Sequence, residues 1–426
     1  MMLVLPPRNT EQVFRILKKY DVPHSVIGEV RDHGIMKVKN NNRVVANLPI
    51  DLVVNPPLVS WPARKPDYLS IRGMRPPTAP KSLGRVLLRL LGSPDIASRR
   101  WVYEQYDHEV GVRTVTKPGQ GDAAVMRLPN GNFLAIKADG NSKATYLDPY
   151  SGAAGTVSEA CRNVVAVGAE PMAMVDHLQV GDPADPGVFW TFSEMIRGMA
   201  DYCKGIELPV VGGKVSFYNE DQSTKRAIKP SPVVLVVGLV EGIAQPINPN
   251  FKRDGERIVL VGETLSELGG SDYYDYVHEF AGGTSPGVNP SRDRKLFESI
   301  HRLIRSGGIT AAHDCSRGGI AAALAEMCIW GATGATVEAD RIPSSGMAFD
   351  ELLFSESHGR FILTTASNHA AKLVEEFSRA RIPHSVVGRV GGTKLHIASR
   401  SKEIINVSVE EMSDVWARSL AGMLGD

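Results

Sequence analysis

The chain has 426 residues, of which 43% are hydrophobic and 22% are charged, a composition typical of globular proteins with two or three domains. Its formal net charge of +1 argues against a nucleic-acid or membrane-surface partner. The sequence contains no apolar run near the roughly 20 residues that span a bilayer, and its start lacks the features of a signal peptide. We therefore expect a cytoplasmic protein.

A nine-residue repeat indicates how the chain is organised. The stretch VPHSVIGEV at residues 22–30 recurs as IPHSVVGRV at residues 382–390, and each copy follows a helical pattern. Both copies are predicted to form helix, turn and strand. The second copy ends a complete-looking domain that begins with a strand at residues 258–261, whereas nothing comparable precedes the first copy. Residues 1–57 therefore look like the tail of a similar domain, too small to be stable alone.

The next segment is predicted to be a linker. Residues 55–81 contain seven prolines and the basic pair Arg64 and Lys65, which favours a wrapping loop over a folded unit. Helices are then predicted at residues 83–91, from Ser98 onward and at residues 188–204.

The first candidate site lies in residues 119–163. Apolar runs at residues 123–126 and 133–136 flank Pro129-Asn130-Gly131-Asn132, which predicts a β-hairpin. An irregular loop is expected next, followed by a small-residue lead-in to a helix. The bare N–H groups of such a lead-in suit phosphate.

Oxygen-bearing side chains cluster in the same stretch. Asp122 and Asp139 lie at strand ends, and Glu159 and Asn163 lie one turn apart on one face of the predicted helix. Carboxylate and amide oxygens are the ligands that Mg²⁺ requires. Alternatively, Asp139 belongs to an ordinary turn, and Glu159 and Asn163 lie on a solvated helix face.

Two further glycine clusters follow. A strand at residues 208–211 is predicted to break at Gly212-Gly213, after which Lys214 and Ser216 present an ammonium and a hydroxyl on one side. This pattern lacks the spacing of a Walker loop. The run HDCSRGG at residues 313–319 precedes a predicted helix and is either an anion site or an N-cap.

Seven blocks of sequence carry a family resemblance. They are GDAAV (121–125), DGNSKATYLDPYSGA (139–153), VSEACRNVVAVGAEPMAMVDHL (157–178), PVVGGKVSFYNE (209–220), GETLSELGGSDY (262–273), AHDCSRGGIAAALAE (312–326) and LLFSESHGRF (352–361). In this order they resemble the formylglycinamide ribonucleotide amidotransferase family, also called phosphoribosylformylglycinamidine synthase, and more closely the C-terminal half of its synthetase subunit. The match covers nearly the whole chain.

The resemblance implies an α/β (α+β) fold built from aminoimidazole ribonucleotide synthetase-like N-terminal and C-terminal domains. Residues 1–57 would be the tail of a preceding C-terminal-type domain, and residues 58–81 a linker. Residues 82–245 would form an N-terminal-type, nucleotide-binding domain, and residues 246–426 a C-terminal-type domain.

The resemblance also implies a function. The family uses ATP to activate the amide oxygen of formylglycinamide ribonucleotide, which ammonia from a separate glutaminase then displaces. The chain is thus expected to be the C-terminal half or a subunit of an ATP-dependent C–N ligase of de novo purine biosynthesis. Its expected partners are an N-terminal synthetase half, a glutaminase subunit and a small accessory subunit. A non-catalytic structural subunit holding an auxiliary ADP is the alternative.

Four site residues are assigned because they stand at positions that have known contacts in the family. Asp176 and Gly213 match residues that contact ATP, and Ser216 matches one that contacts the ribonucleotide substrate. Lys214 stands where the single-chain small form of the enzyme has an asparagine that binds magnesium. A lysine cannot ligate Mg²⁺, although it could contact phosphate directly.

The remaining assignments concern metal and catalysis. Asp122, Glu159 and Asn163 match metal ligands of the auxiliary nucleotide site in the family's large form, which is structural there. The family's catalytic histidine belongs to a Glu-His-Cys-Ser-Tyr-Lys motif in the first copy, and this sequence does not contain that motif. His108 lies at the equivalent place in the second copy and is a candidate. The chain alone is expected to be inactive, as half of a split synthetase or as a truncated sequence.

Overall fold

The computed structural model describes residues 1–400 and 402–425. The chain divides into two compact units, Met1–Ser60 and Trp61–Asp426. Over the described residues, none of the helices has the length and apolar character needed to cross a bilayer. Helices and mixed sheets alternate along the chain, so the predicted α/β (α+β) class is confirmed.

The first unit is small. Its elements are a 3-10 helix (Pro7–Asn9), α1 (Thr10–Lys19), β1 (Ile35–Asn40), β2 (Arg43–Pro49) and α2 (Ile50–Val54). Strands β1 and β2 form an antiparallel hairpin. Its turn residues Asn41 and Asn42 both have positive φ, 46° and 64°, a conformation that asparagine tolerates in tight hairpins.

The second unit begins with a 3-10 helix (Asp67–Gly73), α3 (Leu83–Leu91), α4 (Arg100–Tyr103) and a 3-10 turn (Val110–Val112). The first sheet and its helices follow as β3 (Thr114–Thr116), β4 (Ala124–Arg127), β5 (Phe133–Gly140), α5 (Ser142–Leu147), α6 (Pro149–Ala166), β6 (Glu170–Gln179), α7 (Pro186–Ile206), β7 (Val210–Ser216) and β8 (Ser231–Val240). The six strands are ordered β3-β4-β5-β8-β6-β7, and only β6 and β7 are parallel.

A second sheet is built from the rest of the chain. Its elements are β9 (Arg257–Val261), a π-helix (Tyr273–Val277), α8 (Pro290–Arg305), β10 (Ala311–Asp314), α9 (Gly319–Gly331), β11 (Ala335–Glu338), a 3-10 turn (Ala339–Arg341), α10 (Phe349–Phe354), β12 (Phe361–Thr365), α11 (Ala370–Ala380), β13 (His384–Val390), β14 (Lys394–Ser399), β15 (Lys402–Ser408) and α12 (Val409–Leu424). The seven strands are ordered β10-β12-β9-β13-β11-β14-β15.

Helix α6 lies at the centre of the second unit. The Asp148 side chain caps it by accepting a hydrogen bond of 3.0 Å from the Ser151 amide, and Pro149 fits its first turn. Almost every residue of α6 is buried, because the helix packs against β5 and β8 and against α7 and α8. Its small residues make this possible: a Cβ at Gly155 would lie 2.3 Å from Nε2 of His358.

Strand β8 of the first sheet carries apolar side chains on both faces. Along β8, Val234, Val236 and Val240 are buried in the core that includes α6, whereas the alternate residues Leu235 and Leu239 are only half-buried. Antiparallel sheets with one solvated face normally carry polar residues on that face. The half-buried side chains of β8 are therefore of the kind that is normally covered.

The predicted hairpin is confirmed, since β4 pairs with β5 and Arg127 lies opposite Phe133. The predicted irregular loop after β5 is wrong, because residues 142–147 form α5 and the small residues at 151–155 lie inside α6. Asn141 explains the extra helix, since its side chain caps α5 by accepting a hydrogen bond of 3.0 Å from the Ala144 amide.

Two strand predictions are also wrong. Strand β7 continues through Gly212 and Gly213, because parallel pairing with β6 supplies its backbone hydrogen bonds. The first repeat copy, residues 22–30, forms no strand, whereas the second copy forms β13 between β9 and β11. The two copies share a sequence pattern but differ in structure, because a strand forms only where a neighbouring strand satisfies its N–H and C=O groups. Val26, Ile27 and Val30 are accordingly exposed.

Candidate functional site

Four of the predicted site residues lie on the adjacent strands β6 and β7. The parallel register sets Asp176 opposite Gly213, His177 opposite Lys214 and Gln179 opposite Ser216. Strand β7 is the edge of its sheet, and Gly213 and Lys214 are exposed. The sequence-predicted ATP and substrate residues are therefore neighbours at one open sheet edge.

Strand geometry divides this group between two faces, because successive side chains point in opposite directions. Asp176 shares its face with the buried residues Met174 and Leu178. The other face carries Lys214 and Ser216. The sequence prediction that the last two share a side agrees with their positions in β7.

Asp176 and Gly213 are matched in shape. A Cβ at Gly213 would lie 2.6 Å from a carboxylate oxygen of Asp176, so the carboxylate covers the glycine. Partial burial raises the pKa of Asp176. The missing side chain at Gly213 therefore gives the Asp176 carboxylate its place against the backbone of β7.

The opposite face contains a polar atom that needs a partner. Nε2 of His177, opposite Lys214, is buried and finds no hydrogen-bond partner among residues 1–400 and 402–425. Buried polar atoms in proteins are nearly always satisfied. The hydroxyl of Ser216 does have a hydrogen-bond partner, because Nδ2 of Asn219 lies 3.2 Å from it.

The predicted metal ligands lie elsewhere, in a buried ionic cluster between the two sheets. Asp122, Glu159 and Asn163 are all buried, so the alternative of a solvated helix face is wrong. Asp122 accepts hydrogen bonds from Nδ1 of His313, at 2.6 Å, and from the Asp314 amide, at 3.1 Å. Asn163 donates from Nδ2 to the Glu159 carbonyl, at 2.7 Å, and to Oδ2 of Asp314, at 3.3 Å.

Arg162 is the main internal cation of this cluster. It is fully buried, and its Nε donates to Oδ1 of Asp314 at 2.5 Å. Its other nitrogens donate to the Ser158 hydroxyl, at 2.7 Å, and approach Nδ1 of His358, at 3.1 Å. A buried guanidinium needs this many partners, because an unpaired charge in the interior is costly.

The cluster perturbs its own titratable groups. Burial, reinforced by Asp139, raises the pKa of Glu159 to about 7. Burial opposes the protonated form of Lys137, yet Asp139 and Glu159 raise its pKa. Oδ2 of Asp139 is buried and has no hydrogen-bond partner among the described residues. The carboxylates of Glu159 and Asp139 thus interact at a place to which Lys137, Arg162 and Arg317 also bring positive charge.

These oxygen ligands fit a hard cation in chemistry, although their present partners are protein cations. Within residues 1–400 and 402–425, no group of three or more His, Cys, Asp and Glu side chains is arranged to hold a metal ion. Two of the carboxylates already form ion pairs within the protein. Asp122 pairs with His313, and Asp314 pairs with Arg162. A metal would therefore have to compete with these ion pairs.

The Ser-Arg-Gly-Gly turn forms the N-terminal cap of α9, which was one of its two predicted roles. Gly318, with φ of 70°, is the N-cap residue, and among the described residues no side chain caps the helix. The Gly318 amide donates to Oε1 of Glu356, at 2.9 Å. A carboxylate of the protein itself thus lies where the other predicted role, an anion site, would place an external ligand.

Among residues 1–400 and 402–425, His108 contacts only uncharged groups. Its Nδ1 lies 3.2 Å from the Tyr106 carbonyl, a contact that can fix the tautomer of the ring, and its ring is edge-on to that of Tyr103 at 6.1 Å. Neither group is a carboxylate of the kind that supports a catalytic histidine. A catalytic role for His108 therefore stays a prediction.

Sequence reasoning missed three members of the ionic cluster: Arg162, His313 and Asp314. Arg162 is adjacent to Asn163 in a run of apolar residues, which was a signal for a buried, paired charge. His313 and Asp314 lie more than 150 residues away, and only the strand β10 brings them to Asp122.

Comparison with known proteins identifies the domains. The family described as AIR synthase related protein, N-terminal domain, matches residues 120–240. The corresponding C-terminal domain family matches residues 253–399. Together the two matches span well over half of the chain and contain both the β6–β7 edge and the ionic cluster.

Curated relatives match along the whole chain. The phosphoribosylformylglycinamidine synthase subunit PurL of Ignicoccus hospitalis is 40% identical over 432 residues, covering 100% of this chain and 58% of the relative. The same subunit from Methanothermobacter marburgensis is 42% identical over 420 residues, covering 98% of this chain and 56% of the relative. The chain thus spans little more than half the length of the curated relatives it matches.

Solved structures agree on the fold. Thermotoga maritima PurL complexed with ATP has a TM-score of 0.58 and 26% identity, covering 68% of this chain and 46% of the other. The same protein complexed with FGAR has a TM-score of 0.66 and 23% identity, covering 78% and 54%. The chain therefore belongs to the AIR synthase related family and, within it, to the PurL-type subunits of phosphoribosylformylglycinamidine synthase.

Proposed function

We propose that this chain is the C-terminal half or a subunit of an ATP-dependent synthetase of de novo purine biosynthesis. The synthetase converts formylglycinamide ribonucleotide, ATP and glutamine-derived ammonia to formylglycinamidine ribonucleotide, ADP and phosphate, in the cytoplasm. Its segments would be the tail 1–57, the linker 58–81, the N-terminal-type domain 82–245 and the C-terminal-type domain 246–426. The whole-chain similarity to PurL subunits supports this proposal.

The pairing of Asp176 with Gly213 at the β6–β7 edge is the observation that carries the proposal. The Asp176 carboxylate covers Gly213 on one face of the strand pair, and the exposed Lys214, the next residue of β7, offers an ammonium for phosphate on the other face. Ser216, two residues on, would contact the ribonucleotide. In this arrangement the chain binds and orients ATP and substrate, and the reacting groups come from the complete synthetase.

The ionic cluster is proposed to hold the Mg²⁺ of a bound nucleotide through Asp122, Glu159 and Asn163, with Asp314 beside them. When bound, the ion would neutralise phosphate charge. Burial raises the pKa of Glu159 to about 7, and a bound cation would favour its ionised form. Lys137 and Arg317 already lend positive charge to the same place.

A structural role for this second site is the alternative, in which the chain holds an auxiliary ADP without turning it over. The burial of Asp122, Glu159 and Asn163 favours it, since buried ligands exchange slowly with solvent. The two roles predict that different substitutions will affect the protein. Turnover should depend on Asp176 and Lys214, whereas a retained ADP should depend on Glu159.

The open edge of the first sheet supports a partner. Strand β7 exposes Val210, Val211 and Val215 at the sheet edge, with Val211 67% exposed. Exposed apolar edges of this kind are normally covered. We propose that the N-terminal half of the synthetase packs here, and that the glutaminase and a small accessory subunit complete the assembly.

The test is turnover by a reconstituted complex. The purified chain is supplied with formylglycinamide ribonucleotide, ATP and ammonium, with and without a polypeptide carrying the rest of a PurL subunit, and ADP and product are measured. Activity is expected only in the mixture, and Asp176→Asn should abolish it. Sustained product formation by the chain alone would contradict the proposed dependence on a partner.

A further inference from the structure

Tyr218 is an exposed aromatic residue just after the end of β7, two positions beyond Ser216. It is 65% exposed to solvent. The preceding Phe217 instead packs against the core and meets the ring of Phe192 edge-on, with centroids 5.1 Å apart. Two consecutive aromatic residues thus have opposite surroundings, and the Tyr218 ring contributes nothing to the core of its domain.

The backbone of Tyr218 is held in an unfavourable conformation. Its φ of 62° lies in the left-handed region, which bulky side chains rarely occupy. Two backbone hydrogen bonds hold the turn there, from the Tyr218 amide to the Gly181 carbonyl, at 3.0 Å, and from the Asn219 amide to the Val180 carbonyl, at 3.1 Å. Glycine would adopt this conformation without strain, so the tyrosine brings no advantage to the backbone. Strained residues that are fixed by their surroundings cluster at functional sites.

Asn219 ties this turn to Ser216. Its Nδ2 donates to the Val180 carbonyl, at 3.0 Å, and to the Ser216 carbonyl, at 2.7 Å, and lies 3.2 Å from the Ser216 hydroxyl. Its own carbonyl accepts a hydrogen bond of 3.0 Å from the Ile228 amide. The same residue therefore fixes the backbone on both sides of Phe217 and sets the positions of Ser216 and Tyr218 relative to each other.

We infer that Tyr218 contacts the ribose of the ribonucleotide substrate, beside Ser216. The inference rests on the proposed function, in which Ser216 contacts that substrate and Lys214 contacts a nucleotide phosphate. A tyrosine combines an apolar ring with a hydroxyl that donates and accepts hydrogen bonds. A ribose presents the matching groups, because its C–H groups are apolar and its hydroxyl groups form hydrogen bonds. Tyr218 thereby adds an amphipathic ring to the ammonium and the hydroxyl already assigned to this edge.

The exposure of Tyr218 has a second explanation, because a protein partner at the β6–β7 edge would also cover its ring. The backbone favours the substrate. A protein interface distributes its contacts over many side chains, so it does not need one of them fixed on a strained backbone. A substrate contact does depend on the exact placement of a single side chain.

The test measures substrate affinity in the reconstituted mixture of this chain with the rest of a PurL subunit. In calorimetric titration with formylglycinamide ribonucleotide, Tyr218→Ala should weaken binding about tenfold, and Tyr218→Phe, which keeps the ring, should weaken it less. Ribose 5-phosphate should compete with the substrate, and Tyr218→Ala should weaken its binding by the same factor. Affinity for ATP, and association of the two polypeptides measured by sedimentation, should not change.

Removal of the strained side chain separates a functional role from a structural one. Tyr218→Gly should lose the same substrate affinity as Tyr218→Ala, while the urea midpoint of the chain stays the same or rises, because glycine relieves the strain. Arg381→Gly is the matched control, since Arg381 is also exposed and has a left-handed φ of 56°. It should not lower the midpoint, and it should leave substrate affinity unchanged. A lower midpoint for Tyr218→Gly with unaltered substrate affinity would make Tyr218 a structural residue.

Three other results would overturn the inference. They are substrate affinity unaltered by Tyr218→Ala, unaltered affinity for ribose 5-phosphate, and weaker association of the two polypeptides in place of weaker substrate binding. Each would leave the proposed function intact, because each is measured in a mixture that binds the ribonucleotide and forms product. A mixture with the unmodified chain that neither binds the ribonucleotide nor forms product would instead contradict the proposed function, and this inference with it.

Discussion

Asp122 and His313 are separated by 191 residues in sequence, yet Oδ1 of Asp122 lies 2.6 Å from Nδ1 of His313. The same imidazole reaches Glu326 through Nε2, at 3.2 Å, so it is held between two carboxylates. Burial opposes its protonation, but Asp122 and Glu326 raise the pKa of His313 to about 10. This pair links the loop before β4 in the first sheet to β10 in the second.

The pair should make stability depend on alkaline pH. Because the folded-state pKa of His313 lies above its unfolded value of 6.5, its stabilising contribution is complete below pH 6.5 and is lost as pH rises to about 10. Urea unfolding between pH 6 and about 10 should show this decline. His313→Gln should flatten it, whereas His369→Gln, at an exposed position, should not. Equal slopes in all three proteins would contradict an imidazolium at His313.

Gly213→Ala should weaken nucleotide binding about tenfold or more, equivalent to about 1.4 kcal/mol, because the new methyl displaces the Asp176 carboxylate. Gly212→Ala is the matched control, since its Cβ would lie an ordinary 3.6 Å from Cγ1 of Val175. Titration with ATP and Mg²⁺ compares the two variants. Equal affinities would mean that the position of Asp176 does not matter to the nucleotide.

Lys214→Ala should weaken nucleotide binding by about 1–3 kcal/mol, the scale of a lost charged hydrogen bond. Lys372→Ala, on the exposed side of α11, provides the control. Binding is measured at two salt concentrations, because a phosphate contact by an exposed ammonium is screened by salt. Affinity within a few tenths of a kcal/mol of the unmodified chain would leave Lys214 as a surface residue.

Removal of Mg²⁺ should abolish binding of ADP or ATP to the chain. The expectation follows from the oxygen ligands of the ionic cluster and is measured by calorimetry with and without a chelator. Glu159→Gln should reproduce much of the loss, since it removes the carboxylate whose pKa lies near 7. Binding that is indifferent to chelation would show that these residues do not serve a metal.

Gly155→Ala should destabilise the fold by about 1–3 kcal/mol, the typical cost of overpacking. The added Cβ would lie 2.3 Å from Nε2 of the buried His358, whose ring also meets Arg162. Gly422→Ala on α12, where a Cβ meets open space, should instead be neutral or stabilise by about 0.5–1 kcal/mol. Urea unfolding measures both changes.

Local signals in the sequence were sufficient for most elements. Alternating apolar residues and a Pro-Asn-Gly-Asn turn identified the β4–β5 hairpin, and helical periodicity identified α3, α7 and α11. The family motifs identified the type of each domain, because each motif is a short and contiguous stretch of sequence. Asp122, Glu159 and Asn163 could be grouped from the sequence, since they lie within 42 positions of each other, in the loop before β4 and on α6; their role as metal ligands stays a prediction.

The tertiary structure decided what those side chains face. The sequence allowed Glu159 and Asn163 to be solvated, and only the packing of α6 between two sheets buries them beside Asp314. The repeat is the clearest case, because VPHSVIGEV and IPHSVVGRV share one pattern and differ in structure. Residues 382–390 include β13, since β9 and β11 satisfy its backbone, while residues 22–30 find no such strands within their unit. Pattern determines what a segment can form, and hydrogen-bonding neighbours distant in sequence determine whether it does so.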